Sequence, residues 1–314
     1  MKSYVINKND SEQRVDKFIT KKFPTLPKSL LYKEIRKKNI KVNKKRTTPD
    51  YKLREGDFIE LYLKDDVLIE KAVHYDFMNA PKDINIIYED KNIILVDKKV
   101  GMLCHSTKGE YTNTVISSVK RYLFEKGEWN PKDENSFSPA LANRLDRNTG
   151  GIIIVAKNAS ALRILNEAIK TRAVKKYYLC AVEGTMPKKE KTLKAYLIKD
   201  EAKNKVQVYD KFVEGSKEII TKYTVLDSYN NKSLLEIELK TGRTHQIRAH
   251  LAHIGHPIIN DGKYGSNQGR HNQALCSYKL TFNIDDSCEL SYLNGKTFEI
   301  KNCEVQKNFA ERKY

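Results

Sequence analysis

"LANRLDRNTGGIIIVAKN", Leu141 to Asn158, is the stretch on which the fold turns. Ile152 to Ala156 is an uninterrupted apolar run, bounded by Gly150-Gly151 before it and Lys157-Asn158 after it. A short β-branched run between such boundaries predicts a strand buried on both faces. At its entrance a single carboxylate, Asp146, sits between Arg144 and Arg147. An Asp ahead of a double glycine is often a plain turn residue. Here two features argue for more. A loop joined to a rigid strand is a good mount for a reactive group, and nearby cations favour the carboxylate form of an acid. A carboxylate so placed can act as nucleophile, general base or metal ligand. No second acid or histidine adjoins it for a metal, and the arginines suit phosphates.

The sequence around this strand alternates short strands with few helices. "INIIYEDKNIILVDKK" reads as two strands around an "EDKN" turn. "SALRILNEAIKTRAV" reads as an amphipathic helix with Ser160 near its start and Leu162, Leu165 and Ile169 inward. "KKYYLCAVEG" is a strand, and "KEIITKYTVLDSYNNKSLLEIELKTG" a hairpin around "SYNN", in which Leu235, Ile237 and Leu239 alternate with charged residues. "THQIRAHLAHIG" predicts a helix with Thr244 as N-cap, Ile247, Leu251 and Ile254 inward and Gly255 as its stop. "ALCSYKLTFNI" and "TFEIKN" are late strands. Many strands without regular helical alternation predict an α+β fold around a mixed or antiparallel sheet.

Residues 1–63 read as a separate small α+β module. A helix is expected after Asp10 or Ser11 as N-cap, with Val15, Phe18 and Ile19 inward, and ends before Pro24. A second, from Ser29, turns Leu30, Leu31 and Ile35 inward and presents Lys33, Arg36, Lys37 and Lys38. "NIKVNKK" and "DFIELYL" read as short strands, and the basic stretch 41–46 carries Lys41, Lys44, Lys45 and Arg46. Residues 64–83 lack periodicity and read as a linker, 84–305 as the main domain and 306–314 as a tail.

The 314-residue chain carries a formal net charge of +18 at pH 7, which favours a polyanionic partner, usually nucleic acid. Its five cysteines show no CxxC spacing, so neither a zinc site nor a disulfide framework is suggested, and the odd count fits a reducing cytoplasm. No apolar run approaches a membrane span. The expectation is a cytoplasmic monomer that touches no membrane.

Two further stretches bear on chemistry. In "TGRTHQIRAHLAHIGHPIINDGKYG", residues 241–265, Arg243 and Arg248 flank a helix start, and His245, His250, His253 and His256 are dense without any HExxH pattern. Guanidinium groups at a helix N-terminus suit an anion or a carboxylate. In "KKYYLCAVEG", Tyr177 and Tyr178 fall on opposite faces of a strand; an inward Tyr is usually core but can stack on a base.

Taken in this order, "NRLDRNTGG", "KKYYLCAVEG" and the 241–265 stretch resemble the RluA-type family of pseudouridine synthases, and residues 1–63 resemble an S4 RNA-binding domain. The resemblance spans about residues 12–305. It implies isomerisation of uridine in RNA without metal or organic cofactor. Asp146 matches the catalytic aspartate, which attacks C1′ of the ribose or C6 of the base. Tyr178 matches a tyrosine that packs against the target base and can help remove the C5 proton, and Arg248 matches the basic partner of the aspartate. Arg144, Arg147 and Arg243 are then expected to contact RNA, with the basic N-terminal face anchoring phosphates. Asn143 and Gly150 stand where the family usually has His and Ser, and Asp97-Lys98-Lys99 where it often has Asn-Lys-Pro. The S4-like module points to large-subunit ribosomal RNA or a pre-ribosomal particle; transfer RNA, and a binding-only ribosome-assembly role, are the alternatives.

Overall fold

The computed structural model describes residues 1–265 and 273–314. The N-terminal unit comprises β1 (Lys2–Val5), α1 (Val15–Lys22), α2 (Lys28–Arg36), β2 (Ile40–Val42), β3 (Lys45–Arg46) and β4 (Phe58–Leu61). Its strands form one sheet in the order β1-β4-β2-β3. α1 and α2 bury Phe18, Ile19, Leu31 and Ile35 against Ile40, Ile59 and Leu61. Between β2 and β3 the chain turns on Asn43 and Lys44, both at positive φ, as a two-residue hairpin turn requires. α1 does not start from Asp10 or Ser11. Arg14 holds the N-cap position without a side-chain cap, because the Asp10 carboxylate is committed elsewhere.

The remainder forms a second, larger body. It contains β5 (Asn85–Glu89), β6 (Ile93–Lys98), α3 (Val115–Glu125), β7 (Ala140–Leu141), β8 (Gly150–Ala156), α4 (Ala159–Lys170), β9 (Val174–Glu183), β10 (Glu190–Asp200) and β11 (Lys205–Tyr209). β12 (Lys217–Tyr229), β13 (Lys232–Leu239), α5 (Gln246–His253), β14 (Leu275–Phe282), β15 (Thr297–Glu299) and α6 (Glu304–Ala310) complete it. Nine of its strands run in the order β11-β10-β12-β13-β9-β14-β8-β6-β5, and β7 and β15 pair at its side. The architecture is mixed α+β. The expected buried strand is β8, every residue of which is buried. α4 is capped by Asn158, whose side chain accepts from Ala161 N, rather than by Ser160.

β14 lies between β9, to which it is antiparallel, and β8, to which it is parallel. That close parallel pairing needs Gly151. Its φ is +115°, and a Cβ there would lie 2.2 Å from the Ser277 carbonyl oxygen. Ser277 is held in the ladder and cannot withdraw. Gly151→Ala is therefore expected to cost about 3 kcal/mol or more, from backbone strain and overpacking together. Chemical denaturation checks it; a loss below about 1 kcal/mol would mean that the strands part easily at this point.

The linker stretch and the tail are both held in place by the structure. The linker stretch is anchored at both ends, with Leu68 buried in the N-terminal core and Phe77 packed near Trp129. The tail is not free: α6 buries Phe309 against Tyr229, and the Tyr314 carbonyl accepts from Tyr229 and Lys232. The reason is the apolar spacing of Val305 and Phe309, one helix face. The two bodies also touch. Asp10, fully buried, accepts from Asn135 Nδ2 at 2.8 Å and Ser136 Oγ at 2.6 Å. Asn9 donates to Glu134 at 2.7 Å, Gln13 to Ser136 at 2.8 Å and Arg163 to the Ser11 carbonyl at 3.1 Å.

Candidate active site

The loop ahead of β8 is held from below. Asn143 clips it to the strand, accepting from Ile154 N at 2.7 Å and donating to the Ile152 carbonyl at 3.2 Å. Leu145 N–H donates to Cys104 Sγ, and the thiol donates back to the Leu145 carbonyl, both at 3.3 Å. Lys98, 1% exposed, donates to the carbonyls of Lys99, Met102 and Arg147 at 3.1, 2.8 and 2.9 Å. Its burial pushes the ammonium down to about 8. The backbones on both sides of Asp146 are thus pinned. Thr149 N–H donates to the Asp146 carbonyl at 3.1 Å and closes the turn.

Asp146 meets Arg248, at the start of α5. Arg248 Nη1 donates to Asp146 Oδ2 at 2.7 Å, while Nε and Nη2 grip Asp261 at 2.7 and 2.8 Å. One guanidinium therefore bridges two carboxylates. Burial works against its charge, but Asp261 and Asp146 more than offset that and raise its pKa above the ordinary arginine value. Asp261 also loses by burial, yet Arg248 and the N–H groups of Lys263 and Tyr264 hold it below the usual carboxylate range. The Asp261 side chain is fully buried, whereas that of Asp146 is 29% exposed. Only Asp146 is open to a substrate.

α5 does not begin with a Thr244 cap. His245 holds that position at φ +51°, a left-handed conformation costly for a side-chain residue. Gln246 Oε1 instead reaches back to Arg243 N–H at 3.1 Å and Thr241 Oγ1 at 2.9 Å. This places His245 Nε2 3.7 Å from Asp146 and its Nδ1 2.9 Å from Tyr264 OH. Burial lowers the His245 pKa.

The arginines flanking Asp146 in sequence do not pair with it. Arg147 Nε donates to the Gly101 carbonyl at 3.0 Å, and Arg144 is exposed on the cleft wall. The turn splays both away, and the cation that meets Asp146 comes from a hundred residues downstream. Tyr178, on β9, is 6% exposed and lines the same cleft. Burial pushes its phenol up to about 12, so it is neutral near pH 7. The cleft, about 540 Å³, is also lined by His105, Lys176, Lys199, Arg243, His245 and Arg248. Among the described residues, Asp146 is its only acidic lining residue. A volume of this order admits a nucleotide.

The histidines of 241–265 go separate ways. His250 bonds Thr221 at 3.0 Å, His253 pairs with Asp210 at 2.8 Å, and His256 donates to the Glu183 carbonyl at 3.0 Å. Among the described residues no cluster of three such side chains could hold a metal, and no helix is long and apolar enough to cross a membrane. On the N-terminal unit, Lys33, Arg36, Lys37, Lys38, Lys44, Lys45 and Arg46 are exposed. Lys41 is half-buried, its Nζ 4.9 Å from the Tyr62 ring centroid.

The sequence positions of Asp261, Tyr264, Lys98 and Lys176 do not mark them as parts of a site, and His245 stands out only as one of the dense histidines of 241–265. Asp261 lies in the quoted "HPIINDGKYG", where an acid before glycine looks like any turn residue. A signal did exist for Lys176: it precedes Tyr178 by two and so shares its strand face.

Residues 92–253 match the RNA pseudouridylate synthase family, and residues 13–59 match the S4 domain. The ribosomal large subunit pseudouridine synthase C of Buchnera aphidicola subsp. Acyrthosiphon pisum is 34% identical over 265 residues, 83% of this chain and 80% of that one. Its counterpart in Haemophilus influenzae is 34% identical over 270 residues, 84% and 79% of the two chains. The solved structure of human RNA pseudouridylate synthase domain containing 4 aligns with a TM-score of 0.57 at 19% identity, over 73% of this chain and 93% of that one, a likeness of fold.

Proposed function

The chain belongs to the RNA pseudouridylate synthase family, with an S4 domain at its N-terminus, and on that premise we propose that Asp146 is its attacking group and large-subunit ribosomal RNA its substrate. The observation that carries the first assignment is the Asp146–Arg248–Asp261 bridge, with Asp146 the one acid among the described residues of a cleft whose charged lining is otherwise cationic. The relatives named for the large subunit support the second.

The reaction is an isomerisation and needs no oxidant. The N1–C1′ bond of uridine breaks, C5 joins C1′, the C5 proton leaves and N1 gains one. The carboxylate of Asp146 attacks C1′ or C6 to start it. Arg248, already shared with Asp261, orients Asp146 without being free to move with it. Tyr178 packs against the base as a neutral phenol, able to donate a hydrogen bond. The target nucleotide must leave its stack for C1′ or C6 to reach Asp146 in this cleft. Arg144, Arg147 and Arg243 contact the RNA around it. The exposed cations Lys33 to Lys38 and Lys44 to Arg46, with Lys41, hold phosphates farther along, which makes affinity fall with salt. The enzyme acts as a monomer in the cytoplasm, where ribosomal RNA is made.

Pseudouridine mapping of total RNA, by carbodiimide labelling and primer extension in cells with and without the gene, tests this. Loss of a signal in large-subunit RNA is expected. Loss confined to transfer RNA would overturn the substrate, and no lost site in any RNA would count against the assignment of target and activity together.

A further inference from the structure

Most lysines buried in this fold have visible partners. Lys98 spends its ammonium on three carbonyls, and Lys279 pairs with Glu236 at 2.7 Å. Lys176 is different. It lies on β9 two residues before Tyr178 and so on the same face, and it lines the cleft that holds Asp146. A Cβ on Gly242 would stand 3.4 Å from its Nζ, which puts the ammonium over the backbone between β13 and α5. Among the described residues it makes no ion pair and donates no hydrogen bond. Burial pushes its pKa below the ordinary lysine value. A half-buried cation without a counter-ion, on the wall of a substrate cleft, is a site whose partner comes with the substrate. The neighbouring linings Arg144 and Arg243 are exposed and positive, so no acid of the cleft mouth competes for it.

The anions that RNA can bring are its phosphodiesters. With the base directed at Asp146 and Tyr178, the group that enters beside it is a linkage of the same nucleotide. We propose that Lys176 is a phosphate-binding residue that holds a phosphodiester adjoining the flipped uridine and so sets how deep the nucleotide sits. The inference rests on the cleft being the synthase site.

The test uses RNA oligonucleotides around the mapped uridine, with a neutral methylphosphonate at either its 5′ or its 3′ linkage. Turnover is measured for the wild-type chain, Lys176→Met, Lys176→Gln and Lys176→Arg. Lys176→Met and Lys176→Gln should lose about 10–100-fold in kcat/KM, carried by KM, the scale of a lost charge-assisted contact. One of the two neutral linkages should impose a like loss on the wild type and none further on either variant, and Lys176→Arg should recover most of it. The proposal is overturned if both linkages act additively with the variants, or if the loss lies in kcat with an altered pH profile. It is also overturned if neither variant loses anything. Failure of the underlying site assignment would look different: the all-phosphate oligonucleotide would still turn over with Asp146→Asn.

Discussion

Asp146→Asn should give a folded protein that binds RNA and forms no pseudouridine. The amide keeps the shape of the carboxylate, and its oxygen can still accept from Arg248. The guanidinium is not stranded by the change, because two of its three bonds go to Asp261. Stability should therefore move little, by about 1 kcal/mol or less, as for a partly exposed group. What disappears is the nucleophilic oxygen, for which the cleft offers no substitute. Loss of such a group removes about 10⁴-fold or more of the rate. Single-turnover tritium release from RNA labelled at uridine C5 reads the step directly, with filter binding as the control. Turnover within tenfold of the wild type would reject Asp146 as the attacking group.

Arg248→Met should damage both stability and turnover, for one physical reason. The unbranched apolar side chain replaces the stem of the arginine but not its guanidinium, and Asp261 is left fully buried with no cation. Breaking a buried pair from one side costs about 3–5 kcal/mol. Asp146 loses the same partner and with it its fixed orientation. Arg248→Lys should rescue only part, since an ammonium is a point charge and cannot grip Asp261 through two nitrogens while reaching Asp146. A companion variant separates the two effects. Adding Asp261→Asn to Arg248→Met removes the stranded charge, so thermal stability should recover by about 1–3 kcal/mol through coupling of contacting residues. Activity should not return. Recovery of activity together with stability would make Arg248 a support for the fold and nothing more.

How much of this was legible beforehand depends on sequence range. β8 could be read because its five apolar residues need no context, and the β12–β13 hairpin because alternation with charge marks a one-sided strand. Asp146, Tyr178 and Arg248 stood out through their motifs, and the structure brings all three to one cleft. Other features depended on long-range partners. Nothing local says that Asp10 bonds Ser136, and in sequence alone it reads as a helix cap. The arginines beside Asp146 were near it in sequence only, and backbone geometry turned them away. Asp261 reads as a turn acid until α5 is folded over it. β10 carries three lysines that mute its alternation, although Leu193, Ala195 and Leu197 are inward. α3 hides behind loop residues, and only its Thr114 cap, accepting from Ser117 N, marks the start.

The polar bonds that join residues 9–13 to residues 134–136 and Arg163 have a further consequence. They make the N-terminal unit an outrigger rather than a pendant on a string. These bonds tie the unit that bears the exposed lysines to the body that bears the Asp146 cleft, as one frame. An RNA that rests on both must present a uridine at the span the frame sets, so insertions between the two footholds would shift which nucleotide arrives. On the proposed reading, choice of uridine is expected to depend partly on length along the RNA as well as on the bases.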